Sequence, residues 1–290
     1  MKILIAGASG FLGRHLMAHL LGQGHEIEAW SRHSGQSAPG VLWRSVDLLE
    51  PDLPVPSGRP WDAAFHLAAH TRPSLPWSRA LVLENLDLCA RFMEHLAAHA
   101  PGARCILPSS AHVYASSPEA LREEAPCDPE GPYGLSKLLC EQWARTLRHR
   151  IDLQIVRAFN QVGPGMPSGL LLPDLVARVQ EGQDPLQLQG RDDVKDFLDV
   201  RDALRAYEAL LRVQAPSGTV WNLCSGRAVR VSEVVRVVLE QLGTRREVHF
   251  ASPDTRTMVG DHTKLQTATG WTPRHGLDEM VAYALGVQHG

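Results

Sequence analysis

Strand and helix patterns alternate over the first 160 residues, a glycine-rich turn follows the first strand directly, and a Tyr-x-x-x-Lys pair stands on a later helix. Together these predict an α/β fold, a doubly wound parallel sheet with helices on both faces, followed by a smaller C-terminal α/β lobe. Residues 1–161 plus 192–225 are assigned to the sheet domain, and 162–191 plus 226–290 to the lobe.

Lys2-Ile-Leu-Ile-Ala6 is a short apolar run ending at glycine, as a buried parallel strand requires. Apolar pairs every four or five residues from Phe11 to Leu21 predict an amphipathic helix, stopped by Gly22 and Gly24. Strands are expected over 25–30, 41–46, 63–67, 105–108, 153–157 and 219–223. Helices are expected over 81–98, 133–148, 171–181, 202–211 and 231–242. The segment 163–169 is rich in Gly and Pro and reads as loop.

Composition narrows the function. The 290 residues are 44% hydrophobic and 21% charged, an ordinary globular balance, and the net charge of −3 gives no electrostatic case for nucleic acid or an anionic membrane. No apolar stretch approaches a membrane span, and the first residues run straight into a strand pattern rather than a leader. Five cysteines without a C-x-x-C pair read as reduced thiols, so no metal site is expected and the chain is placed in the cytoplasm.

Gly7-Ala-Ser-Gly10-Phe11-Leu12-Gly13 lies between the first strand and the first helix. Glycines there allow a tight turn and bring backbone N–H groups to a pyrophosphate at the positive end of the helix. Tyr133 and Lys137 are four apart, on one face of a helix. An ammonium at that spacing favours the ionised form of a phenol, which suits proton transfer at a hydroxyl or ketone. With four tyrosines and four lysines, chance supplies only about 0.06 such pairs, so coincidence is a poor account.

The G-x-x-G-x-x-G spacing with Tyr-x-x-x-Lys resembles the short-chain dehydrogenase/reductase superfamily, in its extended branch of nucleotide-sugar epimerases, dehydratases and reductases. The resemblance covers essentially the whole chain and implies a Rossmann sheet that binds NAD(P) and a C-terminal substrate-binding lobe, 162–191 plus 226–290, that takes the sugar nucleotide. It places Gly7, Gly10, Phe11, Leu12 and Gly13 on the pyrophosphate, Asp47 and Leu48 at the adenine, and Leu67-Ala68-Ala69 beneath the cofactor. The acidic residue that binds the adenosine ribose in NAD-dependent members is absent after strand two. Ser31-Arg32 stands there instead, which favours NADP(H) over NAD(H).

Leu107-Pro-Ser109-Ser110-Ala111-His112-Val113-Tyr114 resembles the family's strand-five segment and makes Ser110 the hydroxyl partner of Tyr133. Tyr133 and Lys137 would serve both catalysis and cofactor binding. The 4,6-dehydratases carry Asp-Glu where this chain has Ala111-His112, so that chemistry is not expected. The segments 158–165, 196–202, 222–226 and 269–273 look like the GDP-4-keto-6-deoxy-D-mannose reductases. Under that resemblance Ser109, His112, Asn160, Arg191, Lys195 and Arg256 contact the nucleotide-sugar substrate. Lys195 stands where the family usually has arginine, and the family's Arg-Pro-x-Glu segment is replaced by Ala251-Ser-Pro-Asp-Thr-Arg256, so Arg256 or Arg191 would substitute. The expected activity is NAD(P)H-dependent reduction of the C4 ketone of a nucleoside-diphosphate 4-keto-6-deoxy sugar. An NDP-sugar 4-epimerase is the alternative, and a dinucleotide-sensing non-enzyme the distant one. A homodimer is expected from pairing of helices 81–98 and 133–148.

Overall fold

The computed structural model describes residues 1–33, 35, 38–71, 78–251 and 256–287. Residues 252–255, within the segment compared with Arg-Pro-x-Glu, lie outside the described residues.

In chain order the first part comprises β1 (Lys2–Ala6), α1 (Phe11–Gly22), β2 (Glu26–Ser31), β3 (Val41–Ser45), β4 (Ala63–His66), α2 (Arg79–His99), β5 (Arg104–Ser110), a 3₁₀ turn over Ala111–Val113, α3 (Pro132–Thr146) and β6 (Asp152–Ala158). Next come β7 (Asn160–Val162), α4 (Leu171–Gln180), β8 (Leu186–Leu188), β9 (Val194–Lys195), β10 (Phe197–Asp199), α5 (Val200–Leu210) and β11 (Thr219–Leu223). The chain closes with β12 (Val229–Arg230), α6 (Val231–Gln241), β13 (Val248–Phe250), β14 (Thr257–Met258), α7 (Thr263–Thr269) and α8 (Leu277–Leu285).

Seven strands form one parallel sheet in the order β3-β2-β1-β4-β5-β6-β11. Its strands are apolar on both faces because helices cover both. The alternation is plain in β1: Ile3 and Ile5 join α1, α5 and Trp221 in one core, while Leu4 and Ala6 join Phe92, Met93 and Leu96 of α2 and Ala144 of α3 in the other. Chain order reverses between β1 and β4, which opens a crevice beyond their carboxyl ends, the place where such sheets take ligands.

A third core gathers Leu172 and Leu175 of α4, Leu186 and Leu188 of β8, a valine-rich face of α6, and Met280 and Val281 of α8. Three small sheets run through this region, pairing β10 with β7, β13 with β8, and β12 with β9 and β14. The expected strands and helices up to residue 223 all form, with shifts of a few residues at their ends. Seven short strands, α7 and α8 are not foreshadowed by periodicity, because two or three residues cannot display a period and α7 (Thr-Lys-Leu-Gln-Thr-Ala-Thr) has no apolar stripe. Among the described residues no helix is long and apolar enough to cross a membrane.

Candidate active site

The glycine loop is a steric device. Gly7 has φ of 84°, a conformation that side chains disfavour, and a Cβ there would come within 2.6 Å of Ala68 N. A Cβ on Gly13 would lie 2.3 Å from the Gly7 carbonyl oxygen, so α1 packs directly against the turn. Gly10 caps α1 without a side-chain bond, and no acidic residue occupies the first turn. The first N–H groups of the helix, at Phe11 and Leu12, are therefore open to an anion. Both side chains turn instead toward the core shared with Leu16 and Leu20. Arg14 braces the loop, donating to Ser9 O at 2.7 Å and Gly165 O at 3.3 Å.

Beyond the loop lies a cavity of about 200 Å³ lined by Gly7, Gly10, Ser31, Arg32, Asp47, Leu48, Leu67, Ala68 and Ala69, among others. The sequence-predicted adenosine residues thus share one wall. Their side chains do different things. Ser31 Oγ sits 2.8 Å from Ser9 Oγ and 2.9 Å from His33 O, and accepts from His33 N at 3.1 Å, so it holds the loop rather than reaching outward. Asp47 closes a turn by accepting from Leu49 N at 3.0 Å. The Arg32 guanidinium is exposed and makes no hydrogen bond or ion pair among the described residues.

At the other end of the crevice stand Ser110, Tyr133 and Lys137. The buried Ser110 Oγ accepts from His112 N at 3.2 Å, which leaves its own O–H free to donate. Tyr133 is half-buried at the start of α3. Lys137, one turn on, is buried and donates to Pro108 O at 3.1 Å, with Nζ 5.9 Å from the centre of the tyrosine ring. Gly134 is obligatory here, since a Cβ would lie 2.1 Å from the His112 carbonyl oxygen. That contact brings the 3₁₀ turn against α3. The His112 ring meets Tyr133 edge-on, centroids 5.9 Å apart at 72°. Burial first, then the charges of Lys195 and Arg256, pushes the His112 pKa down to about 4.

The remaining sequence-predicted substrate residues divide. Ser109, on the strand face opposite Ser110, donates to Glu141 Oε1 at 2.5 Å in the interior, so it supports the site from behind rather than lining it. Glu141 also holds Arg157 through two bonds of 3.0 and 2.8 Å. Asn160 donates from Nδ2 to Asp196 O at 2.8 Å. The partly exposed Lys195 lies 4.0 Å from Asp193 Oδ2, and the exposed Arg256 reaches Glu130 at 3.2 Å. The exposed Arg191 shows no side-chain bond among the described residues.

Two supporting residues are absent from the sequence-based expectation. Asn85 of α2 accepts from His70 N at 2.7 Å and donates to His70 O and Ser136 Oγ, tying the segment after β4 to α3. Glu141 follows Tyr133 and Lys137 at the same four-residue spacing, and that spacing was the available signal. The three aspartates of the 196–202 segment are also structural. Asp196 accepts from Ser225 N and Oγ at 2.7 Å each, Gly226 N at 2.8 Å and Gly260 N at 3.3 Å. Burial outweighs those bonds and raises its pKa to about 6. Asp199 caps α5, and Asp202 accepts from Arg274 N and His275 N.

The model of the NAD dependent epimerase/dehydratase family matches residues 3–224. GDP-6-deoxy-D-mannose reductase of Pseudomonas aeruginosa is 32% identical, over 94% of this chain and 92% of that protein. UDP-glucose 4-epimerase of Bacillus subtilis is 27% identical, over 97% and 95%. Among solved structures, that of RMD from Pseudomonas aeruginosa complexed with NADPH superposes with a TM-score of 0.81, at 27% identity and coverage of 99% and 98%. A glycine-rich turn between β1 and α1, a Ser110-Tyr133-Lys137 set and a family match over most of the chain agree: the protein belongs to the NAD-dependent epimerase/dehydratase family.

Proposed function

We propose that the protein reduces the C4 ketone of a nucleoside-diphosphate 4-keto-6-deoxy sugar, in the manner of a GDP-rhamnose-forming 4-reductase. A nicotinamide dinucleotide fits the chain: Gly7, Gly10 and the first turn of α1 would hold its pyrophosphate, and Asp47, Leu48 and Ala68 its adenosine. The observation that carries the reductase reading is the pairing of Ser110, Tyr133 and Lys137 with an alanine at 111 and a histidine at 112 that stays neutral at physiological pH. Such a site can move one proton at one carbonyl but has no acid–base pair to expel water.

When bound, the reduced cofactor supplies a hydride to the carbonyl carbon. Tyr133 gives its phenolic proton to the oxygen, and the free Ser110 O–H donates to the same atom. Lys137 sets its ammonium one helical turn from the phenol, and its anchor on Pro108 O keeps it in place. Asn160, Lys195, Arg256 and Arg191 would contact the sugar nucleotide, with 162–191 plus 226–290 as the substrate lobe. NADP(H) is favoured over NAD(H) because the unpaired Arg32 suits a 2′-phosphate. A cytoplasmic homodimer completes the reading, with the exposed Leu83 of α2 and Trp143 of α3 in the contact.

The test is consumption of NADPH or NADH on GDP- and dTDP-linked 4-keto-6-deoxy sugars. Turnover is expected, and Tyr133→Phe should lower kcat by about 10²–10⁴-fold while cofactor affinity stays within about threefold. The 27% identity to a UDP-glucose 4-epimerase favours a second reading, NDP-sugar 4-epimerisation. Purified protein that retains NAD and interconverts C4 epimers with no net NADPH oxidation would establish that reading instead.

A further inference from the structure

We propose that Arg14 and His15 are positioning residues: they fasten the loop 163–165 to the helix that begins at the glycine turn, and so hold the sugar nucleotide's seat at a set distance from the cofactor's. The proposal rests on the nucleotide-sugar reading above and gives two side chains of the cofactor helix a part in placing the substrate.

The loop can be held in few ways. Gly163-Pro-Gly-Met-Pro-Ser-Gly169 carries one polar side chain, at Ser168, and its two prolines have no N–H, so its backbone carbonyls are the main groups open to bonding. The donors come from α1. His15 Nε2 lies 2.9 Å from Pro164 O, and since a carbonyl only accepts, that nitrogen carries the proton. Arg14, one residue earlier, donates from Nη2 to Gly165 O at 3.3 Å and from Nη1 to Ser9 O at 2.7 Å. One exposed guanidinium thus joins the glycine turn to the loop, with a charge-assisted bond at each end. Packing fixes the same joint. Phe11 meets the His15 ring edge-on, centroids 5.2 Å apart at 76°. A Cβ on Gly163 would lie 2.4 Å from Val200 Cγ1 and 3.6 Å from Phe11 Cζ, so the chain lies directly on the starts of α1 and α5.

The loop is tied on both sides to elements of the substrate reading. Before it, β7 pairs with β10, and Asn160 donates to Asp196 O. After it, Met166 packs into the third core with Leu172 and Leu175 of α4, and Gly169 N donates to Asp174 Oδ1 at 2.7 Å. Lifting 163–165 off α1 would therefore carry Asn160 and α4 with it. Hydride transfer needs its two carbons within about 3–3.5 Å, so slack at this joint falls on the chemical step.

The test uses the full chain, the GDP- and dTDP-linked 4-keto-6-deoxy sugars, and NADPH or NADH deuterated at the transferred hydrogen. His15→Leu removes the bond to Pro164 O and leaves the bonds of the glycine turn intact. It should lower kcat about three- to tenfold, raise the deuterium isotope effect on kcat, and leave the cofactor Kd without sugar within about twofold. His15→Gln keeps an N–H within reach of that carbonyl and should restore most of the rate. Arg14→Gln combined with His15→Leu should lower kcat about 30-fold. Hydrogen exchange reads the joint without turnover: cofactor binding should slow exchange over 163–169 in the wild type and not in the double variant. Unchanged kcat and isotope effect in the double variant overturn the proposal and leave the reductase reading standing. So does a loss in kcat/KM for His15→Leu that an equal loss of cofactor affinity explains. A wild type that turns over neither sugar but shows the exchange pattern overturns the reductase reading alone, and one that shows neither overturns both.

Discussion

At the cofactor end of the crevice, position is enforced by backbone sterics: Gly7, Gly13 and Ala68 touch so closely that no side chain fits between them. Around Asp196 the same task falls to buried polar bonds, with its carboxylate gathering four donors from Ser225, Gly226 and Gly260. The difference matters for tolerance to change. A steric contact fails at the first added methyl, whereas a polar clamp fails when charge or donor pattern changes and therefore depends on pH.

The largest effect should come from the steric end. Gly13→Ala forces a Cβ to within 2.3 Å of Gly7 O and 2.8 Å of the Ala8 backbone, so the loop must move. Overpacking of this kind costs about 3 kcal/mol, or roughly 100-fold in Kd for NADPH or NADH. Titration of cofactor fluorescence reads this directly. Affinity within twofold of wild type would mean that the loop has slack the contacts do not suggest.

At the polar end, Asp196→Asn removes one acceptor oxygen and turns an NH2 toward the Gly226 and Gly260 N–H groups. A loss of about 2 kcal/mol is expected, a drop in Tm of several degrees. Native Asp196 holds its proton up to about pH 6, well above the usual carboxylate value. Between roughly pH 4 and 6 the native chain thus binds more protons than the unfolded one at this group, and the contribution to stability grows as pH falls through that window. Asparagine has no such dependence. The Tm margin of wild type over the variant should therefore widen from pH 7 to pH 4.5, and a constant margin would show the carboxylate ionised throughout.

The same contrast decides what the sequence made legible. Sterically enforced positions leave a local mark, so Gly7-x-x-Gly10-x-x-Gly13 after a strand, and Tyr133 with Lys137 on one helix face, are readable directly. Polar clamps join residues far apart in the chain. Nothing near Asp196 announces Gly260, and nothing near Ser109 announces that its hydroxyl turns inward to Glu141. Short strands β7–β10 and β12–β14 fail for a related reason: each is two or three residues whose stability comes from neighbours rather than from a pattern of its own.

The smallest expected effect lies where neither mechanism operates. Arg32 is exposed at the rim of the cavity beside the glycine loop, and its guanidinium has no partner among the described residues, so it is neither locked by sterics nor held by a clamp. Its role would come only from charge. A guanidinium near a 2′-phosphate, partly screened by water, contributes about 1 kcal/mol, or roughly five- to tenfold in Kd. Arg32→Ala should therefore weaken NADPH by that factor, leave NADH unchanged, and lose the difference as salt rises to about 0.5 M. Ser31 offers no substitute, because its hydroxyl is already engaged by Ser9 and His33. Equal weakening of both cofactors would mean that Arg32 acts on the adenine ring rather than on the phosphate, and the cofactor preference would then have to come from the opposite wall, at Asp47 and Leu48.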